Sequence, residues 1–181
     1  MSLPEEEAPQ EKTPEQRLVR WLAGLVLSHD VGALADLRRS RADTLTRLRA
    51  GNFAYDTPDA IPLFEWVAFQ FARFHAGQSV PHYGWDNLGR AMRNIGGRTS
   101  RGPDNDGCVR LLNQILVSRQ PPWKRIQHAI DQLRADRAAP PSWEKLAVDL
   151  GRWTAPQRVV QHAWAHDFYI PPKTSKARRN P

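Results

Sequence analysis

Apolar residues in the first part of the chain recur at the spacing of one helix face. Leu18, Trp21, Leu22 and Leu25 stand at positions i, i+3, i+4 and i+7, the periodicity of an amphipathic α-helix. The preceding segment 13–16 reads Thr-Pro-Glu-Gln. It combines a capping threonine, a proline at the first helical position and a glutamine three residues after the cap. This pattern predicts a helix that begins at Pro14 and buries one face.

Two more segments start in the same way, and six others have helical periodicity. Thr57-Pro58 precedes Ile61, Phe64, Ala68 and Phe71, and Thr154-Ala155-Pro156-Gln157 precedes Val160, Ala163, Trp164 and Phe168. Further helices are predicted over 30–39, 42–49, 87–95, 107–118, 122–136 and 143–152, with Asp30, Asp86 and Ser142 as caps. The sequence shows no alternating strand, hairpin signal or fixed repeat. The predicted fold is therefore an all-α, compact multi-helix bundle, and a division into two helical lobes is left open.

Composition divides the chain into a central domain and two tails. Residues 1–13 are predicted to be a disordered acidic arm, residues 14–170 a helical domain, and residues 171–181 a disordered basic tail. Within the domain, segment 96–107 contains four glycines and one proline. We expect this segment to be a flexible, arginine-bearing loop without a regular element.

The chain of 181 residues has one cysteine and a formal net charge of +7. Its longest uncharged apolar run, Trp21 to Ser28, is far shorter than a membrane span, and no secretory signal is evident. A soluble cytoplasmic protein is therefore expected. Residues 1–16 carry a net −4 and residues 171–181 a net +4, so the excess positive charge belongs to the body. Segment 89–125 alone carries +6, which favours a polyanionic partner.

His-Asp pairs raise the alternative of a metal-dependent phosphohydrolase. His29-Asp30 and His166-Asp167 are such pairs, and His128 with Asp131 could supply further ligands. Asp30, however, stands at a helix cap position, where accepting backbone N–H bonds accounts for it. We therefore expect no metal, no cofactor and no enzymatic activity.

Three other chemical signals favour structural roles. His162 and His166 have the i, i+4 spacing of a zinc pair but are predicted to face solvent, away from the stripe of Val160 and Trp164. Cys108 shares a face with apolar residues, so a small buried side chain is predicted. Most of the seven tryptophans are predicted to be core residues, with Trp85 and Trp123 the least certain.

Basic residues gather in three places along the body. In the helix predicted over 87–95, Arg90 and Arg93 lie opposite the apolar stripe, so both are expected to face solvent and to be dispensable for folding. Arg98 and Arg101 lie on the following loop, while Arg119, Lys124 and Arg125 flank the next turn. Arg38, Arg39 and Arg41 end the helix begun at Asp30, where favourable interaction with the helix dipole is an equally good explanation.

Four segments resemble the small subunit of the type I-E CRISPR Cascade complex, the CasB family. They are Val31–Arg39 (VGALADLRR), Asn87–Met92 (NLGRAM), Ser142–Trp153 (SWEKLAVDLGRW) and Trp164–Tyr169 (WAHDFY). The similarity extends over about residues 17–170, with the segments in the family's order.

The resemblance implies a non-enzymatic helical subunit in an RNA-guided surveillance complex. Its expected partners are guide RNA, target DNA, the backbone and large subunits of Cascade, and further copies of itself. The motifs imply a nucleic-acid-facing role for Arg38, Arg39 and Arg90, and less directly for Arg119. Charge placement adds Arg93, Arg98, Arg101, Lys124 and Arg125. The alternatives are a free-standing helical nucleic-acid-binding regulator and, third, the metal-dependent hydrolase.

Overall fold

The computed structural model describes residues 11–39 and 44–171. Within these ranges the chain forms nine α-helices and no strand. The helices are α1 (Pro14–Leu27), α2 (Val31–Leu37), α3 (Leu45–Asn52), α4 (Ile61–Phe74), α5 (Leu88–Met92), α6 (Asp106–Leu116), α7 (Trp123–Ala135), α8 (Trp143–Gly151) and α9 (Val159–Tyr169). The predicted all-α class is confirmed.

Three helix starts follow the sequence signals. At α1 the Thr13 hydroxyl accepts from the Gln16 N–H and the Gln16 side chain accepts from the Thr13 N–H, which completes the predicted capping box. Asp30 caps α2 by accepting from Ala33 N–H at 2.9 Å. Ser142 caps α8. Side-chain acceptors thus satisfy backbone donors that have no partner within the helix.

Other starts differ from the prediction. Asn87, and not Asp86, caps α5, since its side chain accepts from the Arg90 N–H at 3.0 Å. The helix predicted to follow Thr57 begins at Ile61, after a 3₁₀ turn over Pro58–Ala60. Before α9, Gln157 and Arg158 have the left-handed φ angles 62° and 53°, so the α-helix starts only at Val159. Ala163, predicted to be buried, is exposed.

The helices form two groups that share one core. Helices α1 to α4 pack with α8, whereas α5, α6, α7 and α9 pack together, and α4 contacts α7 between the groups. One continuous cluster of buried apolar side chains runs through both. The two lobes left open by the sequence are therefore two helix groups around a single core.

Three tryptophans are fully buried at the centre of this core, as predicted for most of the tryptophans. Each indole N–H donates to an acceptor on another segment: Trp143 to the His82 carbonyl (3.1 Å), Trp153 to the Ser118 carbonyl (3.2 Å) and Trp164 to the Asp149 carboxylate (2.7 Å). Because a buried donor without a partner is costly, these bonds hold α8, α9 and the two connecting segments in register. By contrast, the Trp85 side chain is 72% exposed.

Helices α5 and α9 approach so closely that their backbones touch. A Cβ atom at Gly89 would overlap the backbone carbonyl of Trp164, and both residues are buried. Glycine is therefore required here by the lack of space. The contact sets α5 across the carboxyl-terminal half of α9.

The tails lie mostly outside the described residues. Only residues 11–13 of the predicted acidic arm and residue 171 of the predicted basic tail are described. In the part of the chain that is described, no helix has the length and apolar character needed to cross a bilayer.

Replacing Gly89 with alanine tests the contact between α5 and α9. We expect Gly89→Ala to lower the free energy of unfolding by about 1–3 kcal/mol, since the new methyl group must push two backbones apart. Gly24→Ala is the matched control, because Gly24 lies in α1 and a methyl group there would have no atom within 4 Å. At that position alanine should leave stability unchanged or raise it by up to about 1 kcal/mol. Equal effects in urea denaturation would contradict the close approach.

Candidate nucleic-acid interface

The basic residues singled out in the sequence lie in three separate regions. Arg38 and Arg39 end α2, the residues Arg90, Arg93, Arg98 and Arg101 lie around α5 and the loop after it, and Arg119, Lys124 and Arg125 flank the connection from α6 to α7. Helix α6 has 11 residues, which corresponds to about 16 Å at 1.5 Å per residue. The second and third regions therefore lie at opposite ends of α6.

Arg90 does not face solvent, contrary to the prediction. Its guanidinium pairs with Asp167 at 3.1 Å and with Asp86 at 3.6 Å, and it donates to the Ile170 carbonyl at 3.4 Å. Only 14% of the side chain is exposed. The periodicity correctly placed Arg90 opposite the stripe of Leu88 and Met92, but α9 covers that face because Gly89 allows it to approach.

Arg93 also contacts the end of α9. Its guanidinium donates to the Phe168 carbonyl, and the side chain is half-buried. The last carbonyls of an α-helix have no partner within the helix and carry the negative end of its dipole. Arg90 and Arg93 therefore close the carboxyl terminus of α9, a structural role that the sequence pattern did not reveal.

Asp167 is the anionic centre of this junction. Burial raises the pKa of its carboxyl, but hydrogen bonds from His166 and Asn87 and the charge of Arg90 outweigh burial and hold the pKa below its usual range. The Asn87 amide donates to this carboxylate at 2.6 Å, and His166 Nδ1 lies 3.0 Å from it. The carboxylate is thus fully engaged in joining α5 to α9.

The other candidates for metal binding are dispersed or occupied. His128 is exposed and Asp131 pairs with Arg73 at 2.8 Å. His162 and His166 are both exposed, as predicted. Among the described residues, no group of three or more histidine, cysteine or acidic side chains is placed to hold a metal ion.

Cys108 lies in the core, as predicted. It is buried, and its thiol is 3.3 Å from the Met92 carbonyl. Burial, together with the negative charge of Asp136, raises the pKa of the thiol to about 11. The thiol therefore stays protonated at neutral pH and is a poor nucleophile.

The glycine-rich segment 96–107 is held at both ends. The Gly96 N–H donates to Asp136 at 2.8 Å, and the Gly102 N–H donates to the Ile95 carbonyl at 2.8 Å. Gly102–Asp104 forms a 3₁₀ turn, so the expectation that the segment lacks a regular element is wrong; its flexibility stays a prediction. Gly96 and Gly102 have φ angles of 114° and 53°, which glycine adopts without strain.

Exposed cations collect at this end of α6, which we call the loop corner. It comprises Arg98, Arg101 and Arg137. Arg137 was not predicted; it follows Asp136, the acceptor for Gly96. All three are exposed and form no ion pair with any described residue.

A larger group, the turn corner, lies at the other end of α6. It comprises Arg119, Lys124, Arg125, Arg152 and Arg158, all exposed and without an ion pair to a described residue. Two contacts gather them: Trp153 donates to the Ser118 carbonyl at 3.2 Å, and Arg158 donates to the Leu116 carbonyl. Arg152 and Arg158 were missed because these contacts join residues 35 and 42 positions apart through backbone acceptors, which leave no sequence signal.

Arg38 and Arg39 lie apart from both corners, in the first helix group. Arg39 is 67% exposed and pairs with Asp36 at 3.5 Å. Arg38 is half-buried and lines a small cavity with Leu34 and His75. Arg41, the third arginine of this sequence cluster, lies outside the described residues.

Comparison with known proteins places this geometry in a family. The sequence model of CRISPR-associated protein Cse2 matches residues 2–169. The crystal structure of CasB from Thermobifida fusca is similar, with a TM-score of 0.66 and 20% sequence identity over 87% of this chain and 96% of that chain. None of the curated proteins gives a significant match.

The role of Arg90 can be separated from surface charge by alanine substitution. We expect Arg90→Ala to lower the free energy of unfolding by about 2 kcal/mol, because it leaves the half-buried Asp167 carboxylate without its cation. In a chain of this size that corresponds to roughly 6 °C in Tm. Arg119→Ala removes the same side chain from an exposed site and should change stability by less than about 0.5 kcal/mol. Equal melting temperatures would mean that Arg90 is surface charge after all.

The Asp167 junction also predicts a dependence on pH. Its pKa is lower in the folded chain than the value of about 3.9 in an unfolded one. The stabilisation is therefore present above that value and is lost as the pH falls through the folded pKa. Asp167→Asn should melt below the wild type at pH 7, and the difference should shrink below pH ~4. A difference that stays constant to pH ~3 would exclude this linkage.

Proposed function

Since the chain belongs to the CRISPR-associated protein Cse2 family, whose members are Cascade subunits, we propose that it binds nucleic-acid backbone within that RNA-guided complex. In this role it stabilises the opened target DNA, the R-loop, and carries out no catalytic step. Its partners are guide RNA, target DNA, the backbone and large subunits, and further copies of itself.

The observation that carries the proposal is the pair of corners at the two ends of α6. Loop and turn corner together present eight exposed cations that form no ion pair with a described residue, and seven of them are arginines. The planar guanidinium donates two parallel hydrogen bonds to phosphate. The length of α6, about 16 Å, is covered by about five stacked nucleotides at 3.4 Å each.

The proposed interaction is independent of sequence. Arginines on an exposed surface neutralise phosphates and release counterions, and they read no base edge. Pairing with guide RNA elsewhere in the complex would then select the target. This division of labour needs only a rigid basic surface from the small subunit.

Structural roles of the candidate catalytic groups support the non-catalytic part of the proposal. Asp30 caps α2, Asp167 joins α5 to α9, and the Cys108 thiol is buried. Each of these side chains is already used in holding the fold. No cofactor is required for the proposed role.

Neutralising the corners should weaken binding in proportion to the phosphates released. The test compares target-DNA binding by the assembled complex across salt concentrations, with Arg98→Ala plus Arg101→Ala and with Arg119→Ala plus Arg125→Ala. Each phosphate that is no longer neutralised should reduce the slope of log K against log salt by about 0.9 for duplex or 0.7 for single-stranded DNA.

Arg17→Ala plus Arg20→Ala is the matched control, because both residues are exposed on α1 and the charge change is the same. Arg38→Ala plus Arg39→Ala tests the third region in the same way. Arg90 is left intact, since its loss is expected to destabilise α9. If both corner variants bind as the control does at every salt concentration, the corners are ordinary solvated surface and the proposal is wrong.

A further inference from the structure

Segment 80–87, between α4 and α5, exposes two aromatic side chains at alternate positions. Tyr83 is 55% exposed and Trp85 is 72% exposed. Fully burying a side chain of this size is worth at least about 1.5–3 kcal/mol, so a large exposed tryptophan suggests a binding role. Neither residue has a part in the charge-based proposal above.

The backbone that carries these aromatics is held at the intervening positions. Its anchors are the His82 N–H on His75 Nε2 (2.8 Å), the His82 carbonyl on the Trp143 indole (3.1 Å), and the Asp86 carbonyl on the Ser142 N–H (2.8 Å). Gly84 packs so tightly on the Pro140 carbonyl that a Cβ would overlap it. The Trp85 ring is therefore presented from a rigid support, which lowers the entropic cost of binding.

Trp85 forms one wall of a cleft of about 240 Å³. The Arg90 guanidinium lies 5.5 Å from the centre of the Trp85 ring, and Arg93 and Asn94 also line the cleft. Because Asp86 and Asp167 pair with Arg90, the cleft has little net charge. This environment suits a flat, neutral ring better than a phosphate group.

The cleft adjoins the loop corner. Gly102 packs directly against the backbone of Arg93, and Arg101 is the residue before it. A strand whose base occupied the cleft would therefore have exposed arginines nearby for its phosphates. The cleft is too small for a protein helix, whose diameter with side chains is about 10–12 Å, but it can hold a single planar ring.

We propose that Trp85 is a stacking platform for one unpaired nucleobase of single-stranded nucleic acid. The ring stacks on the base, while the polar groups of Asn94 and Arg93 lie beside it. Stacking on an aromatic side chain tolerates any base, so the site adds affinity without sequence preference. This inference rests on the proposed nucleic-acid role and adds a site for bases to a surface otherwise suited to phosphates.

The experiment compares two oligonucleotides of equal length, oligo-dT and the same backbone made of abasic sites, by fluorescence anisotropy with the whole subunit. Both carry the same phosphates, so only a base-binding site distinguishes them. We expect the wild type to bind oligo-dT about tenfold more tightly. Trp85→Ala should abolish that preference and leave abasic binding unchanged, whereas Trp85→Phe should retain most of it.

Tyr55→Ala is the matched control, since Tyr55 is also 72% exposed but lies after α3 in the first helix group. It should keep the wild-type preference. Because Trp85 is exposed, all variants should melt with the wild type, and melting curves verify this.

Each other outcome overturns the stacking site in a distinguishable way. Equal binding of both oligonucleotides by the wild type refutes the stacking site alone and leaves phosphate binding intact. Binding of neither refutes the proposed function as well. If Trp85→Ala keeps the preference for oligo-dT but associates more weakly with purified Cascade subunits, the ring is a protein contact.

Discussion

The contact between the backbones of Gly89 and Trp164 determines how the second half of the molecule is built. Without a Cβ at residue 89, α5 lies directly on α9, so that Arg90 and Arg93 reach the last carbonyls of α9. The same approach brings Asn87 within 2.6 Å of Asp167. One missing methyl group thus converts two arginines from surface cations into the closure of a helix.

Sequence patterns could predict what depends on neighbouring residues and failed where distant segments meet. The capping box at Thr13 and Gln16 and the buried face of α1 were predictable because their partners lie within a few positions. Arg90 was placed on the correct side of its helix, but periodicity cannot say that α9, 77 residues away at Asp167, covers that side. Arg152 joins the turn corner through a bond between Trp153 and a backbone carbonyl, which has no signature in side-chain chemistry.

The arginines of this chain therefore divide by their surroundings rather than by their sequence spacing. Where a carboxylate and helix carbonyls face the guanidinium, as at Arg90, its hydrogen bonds are used within the fold and the group has little left for a phosphate. At Arg101 and Arg119 no described carboxylate is paired with the cation. The excess charge of segment 89–125 is thus available mainly at the ends of α6 and not on α5.

Helix closure and the Trp85 cleft share one residue, which links stability to the proposed base site. The Arg90 guanidinium holds the end of α9 and also lies 5.5 Å from the Trp85 ring. Because Asp86 and Asp167 fix it from two sides, the arginine cannot swing away to follow a phosphate without releasing α9. The rigidity that removes Arg90 from backbone binding keeps the Trp85 wall of the cleft in place, so the same ion pairs that stabilise the fold preorganise the surface beside the loop corner.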